Sequence, residues 1–155
     1  VTFTYTNSCN PTVTTCQSMF TVPPGFFQNM ETNTVYGTLQ DAINAAMPGQ
    51  TIKMLDNVSE SNITVTNSVI LEADGYMLTI PSGNFTIPTG KSLKWKENIL
   101  MISAGAAIIN NGSLCNNGII NYQGGVGIFT NTGAYLGSGN FQGNFVNYRT
   151  ISPKN

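Results

Sequence analysis

From Thr51 to Thr150 the sequence falls into short pieces, each closed by Gly, Asn, Asp, Pro, Ser or Thr, and this spacing leaves few folds open. "TIKMLD", "NITVTN", "SVILEAD", "MLTIPSG", "FTIPTG", "SLKWKEN", "ILMISAG", "AAIINNG", "SLCNNG" and "IINYQGG" follow one another. "GIFTNTG", "AYLGSG", "NFQGN" and "FVNYRT" continue the pattern. Most pieces alternate apolar and polar residues, the period of a strand buried on one face. The step of about six to eight residues is shorter than the roughly 8–12 of sandwiches and barrels. A chain that bends so often has no room for hairpin loops and must coil. Three pieces make a triangular turn of about 20 residues, the lower edge of solenoid repeat lengths. The expected fold is all-β, a single-stranded parallel β-helix, or β-solenoid.

Asn and Gly suit its corners. A sharp bend often needs positive φ, which Gly adopts freely and Asn tolerates. Stacked Asn side chains can also bond along a ladder. Ile, Val, Leu and Phe are expected inward, and Thr, Ser and Asn outward. Cys115 falls on such a strand and is expected to be a buried thiol.

One segment carries a helical pattern. In "TLQDAINAAM" Thr38 is an N-cap with Asp41 three residues on, a variant of the capping box. Leu39, Ala42, Ile43, Ala46 and Met47 form an apolar stripe, and Pro48 and Gly49 end it. So short a helix needs a surface to dock on. It is expected to cap the N-terminal end of a solenoid domain spanning residues 37–155. Residues 1–36 read as an irregular segment, broken by Pro23 and Pro24, with one extended strand at Val1–Thr6.

"LQDAINAAMPGQTIKMLDN" resembles the opening of right-handed parallel β-helix proteins of the pectate-lyase-like superfamily, with Gln50 where Asp is usual. "NNGSLCNNGIIN" and "TNTGAYLGSGNFQGN" resemble the Asn- and Gly-rich coils of bacterial adhesins and autotransporter passengers. The resemblance implies the fold and a helix covering its first coil. It implies no single function, because the scaffold hosts lyases, hydrolases, adhesins, ice binders and viral fibres.

The residues argue against an enzyme. With no His, Ser-His and Cys-His nucleophile systems are excluded. Asp56, Glu72 and Asp74 could line up on neighbouring coils around calcium, but solvated corner carboxylates explain them more simply. No catalytic residue, metal site or cofactor is expected. Charged residues are only 8% of the chain, against roughly 25% in ordinary domains. No basic cluster serves nucleic acid, and no apolar run suits membrane insertion. In "GKSLKWKEN" Trp95 lies inward between outward Lys94 and Lys96, or the reverse; outward, it could stack on a sugar. Lysines on an exposed strand more often guard against edge pairing. A Thr-x-Thr ice-binding array finds only fragments in "TFTYT" and "NITVTN".

The start at "VTFTYT" suggests a cleaved, exported chain or a piece of a longer one. In an oxidising compartment Cys9 and Cys16, flanking "NPTVTT", are expected to pair. Asn57, Asn62, Asn84 and Asn111 each begin a glycosylation sequon, a match that an Asn-rich chain also produces by chance.

Coil texture runs almost to the last residue, with Phe141, Phe145 and Tyr148 on or near the final coil. A bare coil end is a template for another strand. Val1, Phe3 and Tyr5 on the N-terminal strand could supply it, and a contact between unlike ends builds a filament. The expected role is a secreted or cell-surface structural protein. It would self-assemble head to tail into a homopolymer, a filament, sheath or adhesive fibre, with cell-surface glycans as a further partner. The alternative is a carbohydrate-binding or polysaccharide-degrading β-helix domain of a larger secreted protein.

Overall fold

The computed structural model describes residues 25–123, 128–143, 145–147 and 151–153, the last two stretches as backbone only. A short hairpin leads: β1 (Phe27–Asn29) pairs antiparallel with β2 (Val35–Tyr36). Buried Asn29 closes it, its Oδ1 accepting from the N–H groups of Glu31 and Thr32, both at 3.1 Å. Helix α1 (Leu39–Ala45) follows, with Thr38 as N-cap.

The chain then coils. The first coil is β3 (Thr51–Met54), β4 (Val58–Ser59) and β5 (Ile63–Thr64). The second is β6 (Val69–Glu72), β7 (Leu78–Ile80) and β8 (Gly83–Ile87). The third is β9 (Ser92–Trp95), β10 (Ile99–Ile102) and β11 (Ala106–Asn110). The fourth is β12 (Ser113–Asn116), β13 (Ile119–Tyr122) and β14 (Ile128–Asn131). The fifth is β15 (Ala134–Gly137), β16 (Asn140–Gln142) and β17 (Phe145–Asn147), after which β18 (Ile151–Pro153) begins again.

Corresponding strands stack into three sheets, which makes the molecule a parallel β-solenoid. Sheet A runs β18-β15-β12-β9-β6-β3-β1-β2, sheet B β16-β13-β10-β7-β4, and sheet C β17-β14-β11-β8-β5. Every coil-to-coil pairing is parallel; only β1 is antiparallel to its neighbours. The pieces "AAIINNG", "SLCNNG" and "IINYQGG" supply β11, β12 and β13, one turn, as their spacing predicts.

The core is a set of inward columns. Val58, Leu78, Leu100, Ile120 and Phe141 line up in sheet B, and Ile63, Phe85, Ile108 and Phe129 in sheet C. Identical or similar side chains one strand spacing apart bury each other's faces, so the narrow interior fills without long side chains. Sheet A's column Ile52, Leu71, Trp95 ends on Asn116. Trp95 is thus inward, fully buried, with Nε1 donating to the Asn98 carbonyl at 3.1 Å; it offers no ring to a ligand.

Three expectations need correction. Asn is not only outward: Asn110, Asn116 and Asn131 are fully buried at corners. A buried amide must find partners, and for the Nδ2 groups of Asn110 and Asn116 the next coil provides them. Asn110 Nδ2 donates to Asn131 Oδ1 at 2.6 Å and to the Ala134 carbonyl at 2.8 Å. Asn116 Nδ2 donates to Tyr135 Oη at 3.0 Å and to the Asn140 carbonyl, while its Oδ1 accepts from Gly118 N–H. Cys115, between inward Leu114 and Asn116, points outward and is half-buried. Met47 lies beyond the helix and is 71% exposed, because the chain has turned extended at Ala46.

The glycines two residues after the first and third of these Asn have a steric cause. A Cβ on Gly112 would lie 2.3 Å from the Lys91 carbonyl oxygen, and one on Gly133 2.0 Å from that of Gly112. Neighbouring coils touch backbone to backbone at this corner, so only Gly fits. At other corners Asn62 and Asn98 hold positive φ, as expected of Asn.

Candidate functional site: the two ends of the solenoid

The N-terminal end is closed by side chains. Thr38 Oγ1 accepts from Asp41 N–H at 3.0 Å, the expected N-cap bond, while Asp41 Oδ2 accepts from the Thr38 hydroxyl at 2.7 Å and not from its backbone N–H as in a capping box. Glu60, just after β4, accepts from the N–H groups of Leu39 and Gln40 at 2.7 and 3.0 Å, so a carboxylate meets the positive end of the helix. Asn67 Nδ2 reaches the carbonyls of Ile43 and Asn44 at the other end. Leu39, Ala42, Ile43 and Ala46 face the core, as their spacing predicts. The Gln40 side chain occupies the edge of β5: Oε1 accepts from Thr64 N–H at 2.7 Å and Nε2 donates to the Thr64 carbonyl at 3.0 Å. Gln50 is equally occupied, its Oε1 accepting from Asn29 Nδ2 and Met47 N–H, both at 2.8 Å.

At the other end, among the described residues, no strand pairs with the outer edges of β16, β17 and β18. Phe141 is half-buried on its own chain, its ring 5.5 Å from Tyr122 and 5.3 Å from Phe129. The backbone of Phe145 lies in β17, in register with Phe129. Val1, Phe3, Tyr5, Cys9, Cys16 and Tyr148 lie outside the described residues.

The large apolar side chains left exposed, among the described residues, are Met30, Val35, Met47, Ile128 and Leu136. Met30, Val35 and Met47 belong to the N-terminal cap, and Ile128 and Leu136 to β14 and β15 near the far end. Between them, from β3 to β13, there are none. Sequence reading missed this segregation; the alternation of "GIFTNTG" and "AYLGSG" was its only trace.

The outer face of sheet A carries charge. Lys53 bonds Asp74 at 2.7 Å and Lys96 bonds Glu72 at 2.8 Å. The partner carboxylate holds each ammonium above its usual pKa. Asp56 Oδ1 accepts from Asn57 N–H. The three carboxylates thus have separate partners, and no cluster of three metal-ligating residues occurs among the described residues. Beside the ion pairs lies a depression of about 130 Å³ lined by Ser68, Ser92, Ser113, Lys94 and Cys115. On sheet C the outward column is Thr64, Thr86, Ile109, Thr130, a longer Thr ladder than the sequence suggested, broken by Ile109. Asn57, Asn62, Asn84 and Asn111 are all exposed. Three spend their side-chain oxygen on the fold: Asn57 Oδ1 accepts from Met77 N–H, Asn62 Oδ1 from Asn84 N–H and Asn111 Oδ1 from Thr132 Oγ1.

The class defined is a parallel β-solenoid with one end closed by a hairpin and helix. Comparison with protein-family models, curated proteins and solved structures finds no match to this chain.

Proposed function

We propose that this chain is a secreted structural protein, a subunit of an extracellular filament, sheath or adhesive fibre that assembles head to tail. The observation that carries the reading is the placement of exposed large apolar side chains among the described residues: Met30, Val35 and Met47 at one end, Ile128 and Leu136 near the other, and none from β3 to β13. Among the described residues, exposed apolar side chains gathered towards two unlike ends favour a contact that repeats without closing. Low charge removes most of the repulsion between copies. The N-terminal strand with Val1, Phe3 and Tyr5 adds to the last coil of a neighbour in this reading, near Phe141, Phe145 and Tyr148. Within it the chain is related to the pectate-lyase-like superfamily and to adhesin coils, on the residues quoted above. The test is electron microscopy of the purified chain beside one lacking residues 1–6. Filaments in the first and not the second support it; monodisperse monomers in both refute it.

The depression around Lys94 favours a second reading, binding of an acidic glycan on sheet A. Lys94 has no ion-pair partner among the described residues, and three serines stand beside it. Calorimetric titration with uronate and neutral oligosaccharides separates the two: heat with the acidic series alone, lost in Lys94→Ala, supports glycan binding.

A further inference from the structure

Resting on the assembly reading, we propose that of the three sheets only sheet A runs on from copy to copy, with β18 of one copy pairing in parallel with β2 of the next, while the N-terminal strand of that reading adds on the side of β16 and β17. The argument is one of strand sense. β3, β6, β9, β12, β15 and β18 all run the same way. β1 is antiparallel to β3, and β2 is antiparallel to β1. Two reversals restore the direction, so β2 runs with β18. Sheet A therefore begins and ends on strands of one sense, and among the described residues neither has a partner on its outer side. A translation along the solenoid brings the two edges together and can repeat without limit.

Sheets B and C offer no such continuation. Sheet C starts at β5, whose Thr64 backbone is already paired with the Gln40 amide. Sheet B starts at β4, and Glu60 just beyond it holds the first turn of α1. The helix covers the corner where a neighbour's β16 and β17 would have to arrive. The hairpin thus acts as an adaptor, carrying one sheet past the cap while the other two stop beneath it.

β2 has only two residues, and short edges resist indiscriminate pairing. The junction then depends on the apolar side chains around it. Val35, on β2, is 49% exposed, and Met30 stands at the tip of the same hairpin.

Helical reconstruction of filaments grown from the full chain tests the proposal. The expected map shows sheet A crossing each junction as a parallel ladder, with sheets B and C interrupted by α1. Filaments in which sheet B or C runs on unbroken, or β18 meets β2 antiparallel, or neither strand lies at the contact, overturn the junction and leave the assembly reading standing. Absence of filaments overturns both. Val35→Lys is the matching variant. It is expected to raise the concentration needed for assembly about ten-fold while the thermal melt of the unassembled chain stays unchanged. An unchanged assembly threshold with an intact melt counts against β2 as the contact.

Discussion

The Gln40 side chain pairs with the backbone of Thr64 as a neighbouring strand would, accepting its N–H at 2.7 Å and donating to its carbonyl at 3.0 Å. One primary amide carries the same donor and acceptor as a peptide unit. A helix can therefore close the edge of a sheet with a single residue. Gln40→Ala is expected to destabilise the chain by about 1–3 kcal/mol, the cost of two lost hydrogen bonds and an unsatisfied backbone. Urea unfolding followed by circular dichroism measures it. Gln40→Glu keeps the acceptor and loses the donor, so it should fall between.

Asn116 and Asn117 are adjacent and chemically identical, yet they should respond oppositely to truncation. Asn116 is buried and bonds Tyr135 Oη, the Asn140 carbonyl and Gly118 N–H. Asn117 is exposed. Asn116→Ala is expected to cost about 2–4 kcal/mol through lost bonds and orphaned groups. Asn117→Ala should stay within about 0.5 kcal/mol. Paired denaturant curves decide, and equal effects would refute the inward assignment.

Gly133→Ala puts a methyl group 2.0 Å from the Gly112 carbonyl oxygen. Backbone cannot swing aside as a side chain can, so the coils must separate locally. A loss of about 1–3 kcal/mol is expected. Gly90→Ala meets no atom within 4 Å, but its φ is +77°. Its penalty should be conformational and smaller, about 1 kcal/mol. Thermal melts of the two variants should rank in that order.

Alkaline titration should report on the interior. Burial pushes the phenol of Tyr122 far above its ordinary value, and that of Tyr135 in the same direction. Tyr122 Oη donates to the Ile128 carbonyl at 2.9 Å, a bond its phenolate could not make. A raised folded pKa means that this contribution to stability is complete below about pH 10 and fades as pH rises through the folded value. The ultraviolet signal of Tyr122 should appear only with loss of the β-sheet circular dichroism. Full ionisation of all tyrosines with the sheet intact would contradict the burial.

Much of this architecture was legible because its causes are local. Strand-sized pieces with frequent turn residues require a coil, and Thr38 with Asp41 marks a helix start whatever surrounds it. The misreadings were tertiary. Asn110 and Asn116 look like surface residues until the next coil's carbonyls arrive to accept from their amides, and Asn131 until Asn110 donates to it. Cys115 has an apolar reputation, yet its position between Leu114 and Asn116 sends it outward, since alternation outranks hydrophobicity on a strand. The hairpin of β1 and β2 was hidden because Val35 and Tyr36 are too few to show a period. The sheet ladder consequently reaches back into residues that read as irregular. The apolar ends left only the alternation of "GIFTNTG" and "AYLGSG" as a trace, because exposure depends on which coil lies next door.

The cap also sets an order of events. Helix α1 has seven residues, too few to persist alone, and beyond its own N-cap its side-chain fasteners, Glu60, Thr64 and Asn67, lie downstream. During synthesis the segment from Leu39 to Ala45 emerges with its N-cap but without the coil it closes. It can set only when the chain through Asn67 has bent round to meet it. The lid of this solenoid is thus fitted after the first storey is built, although it is written earlier in the chain.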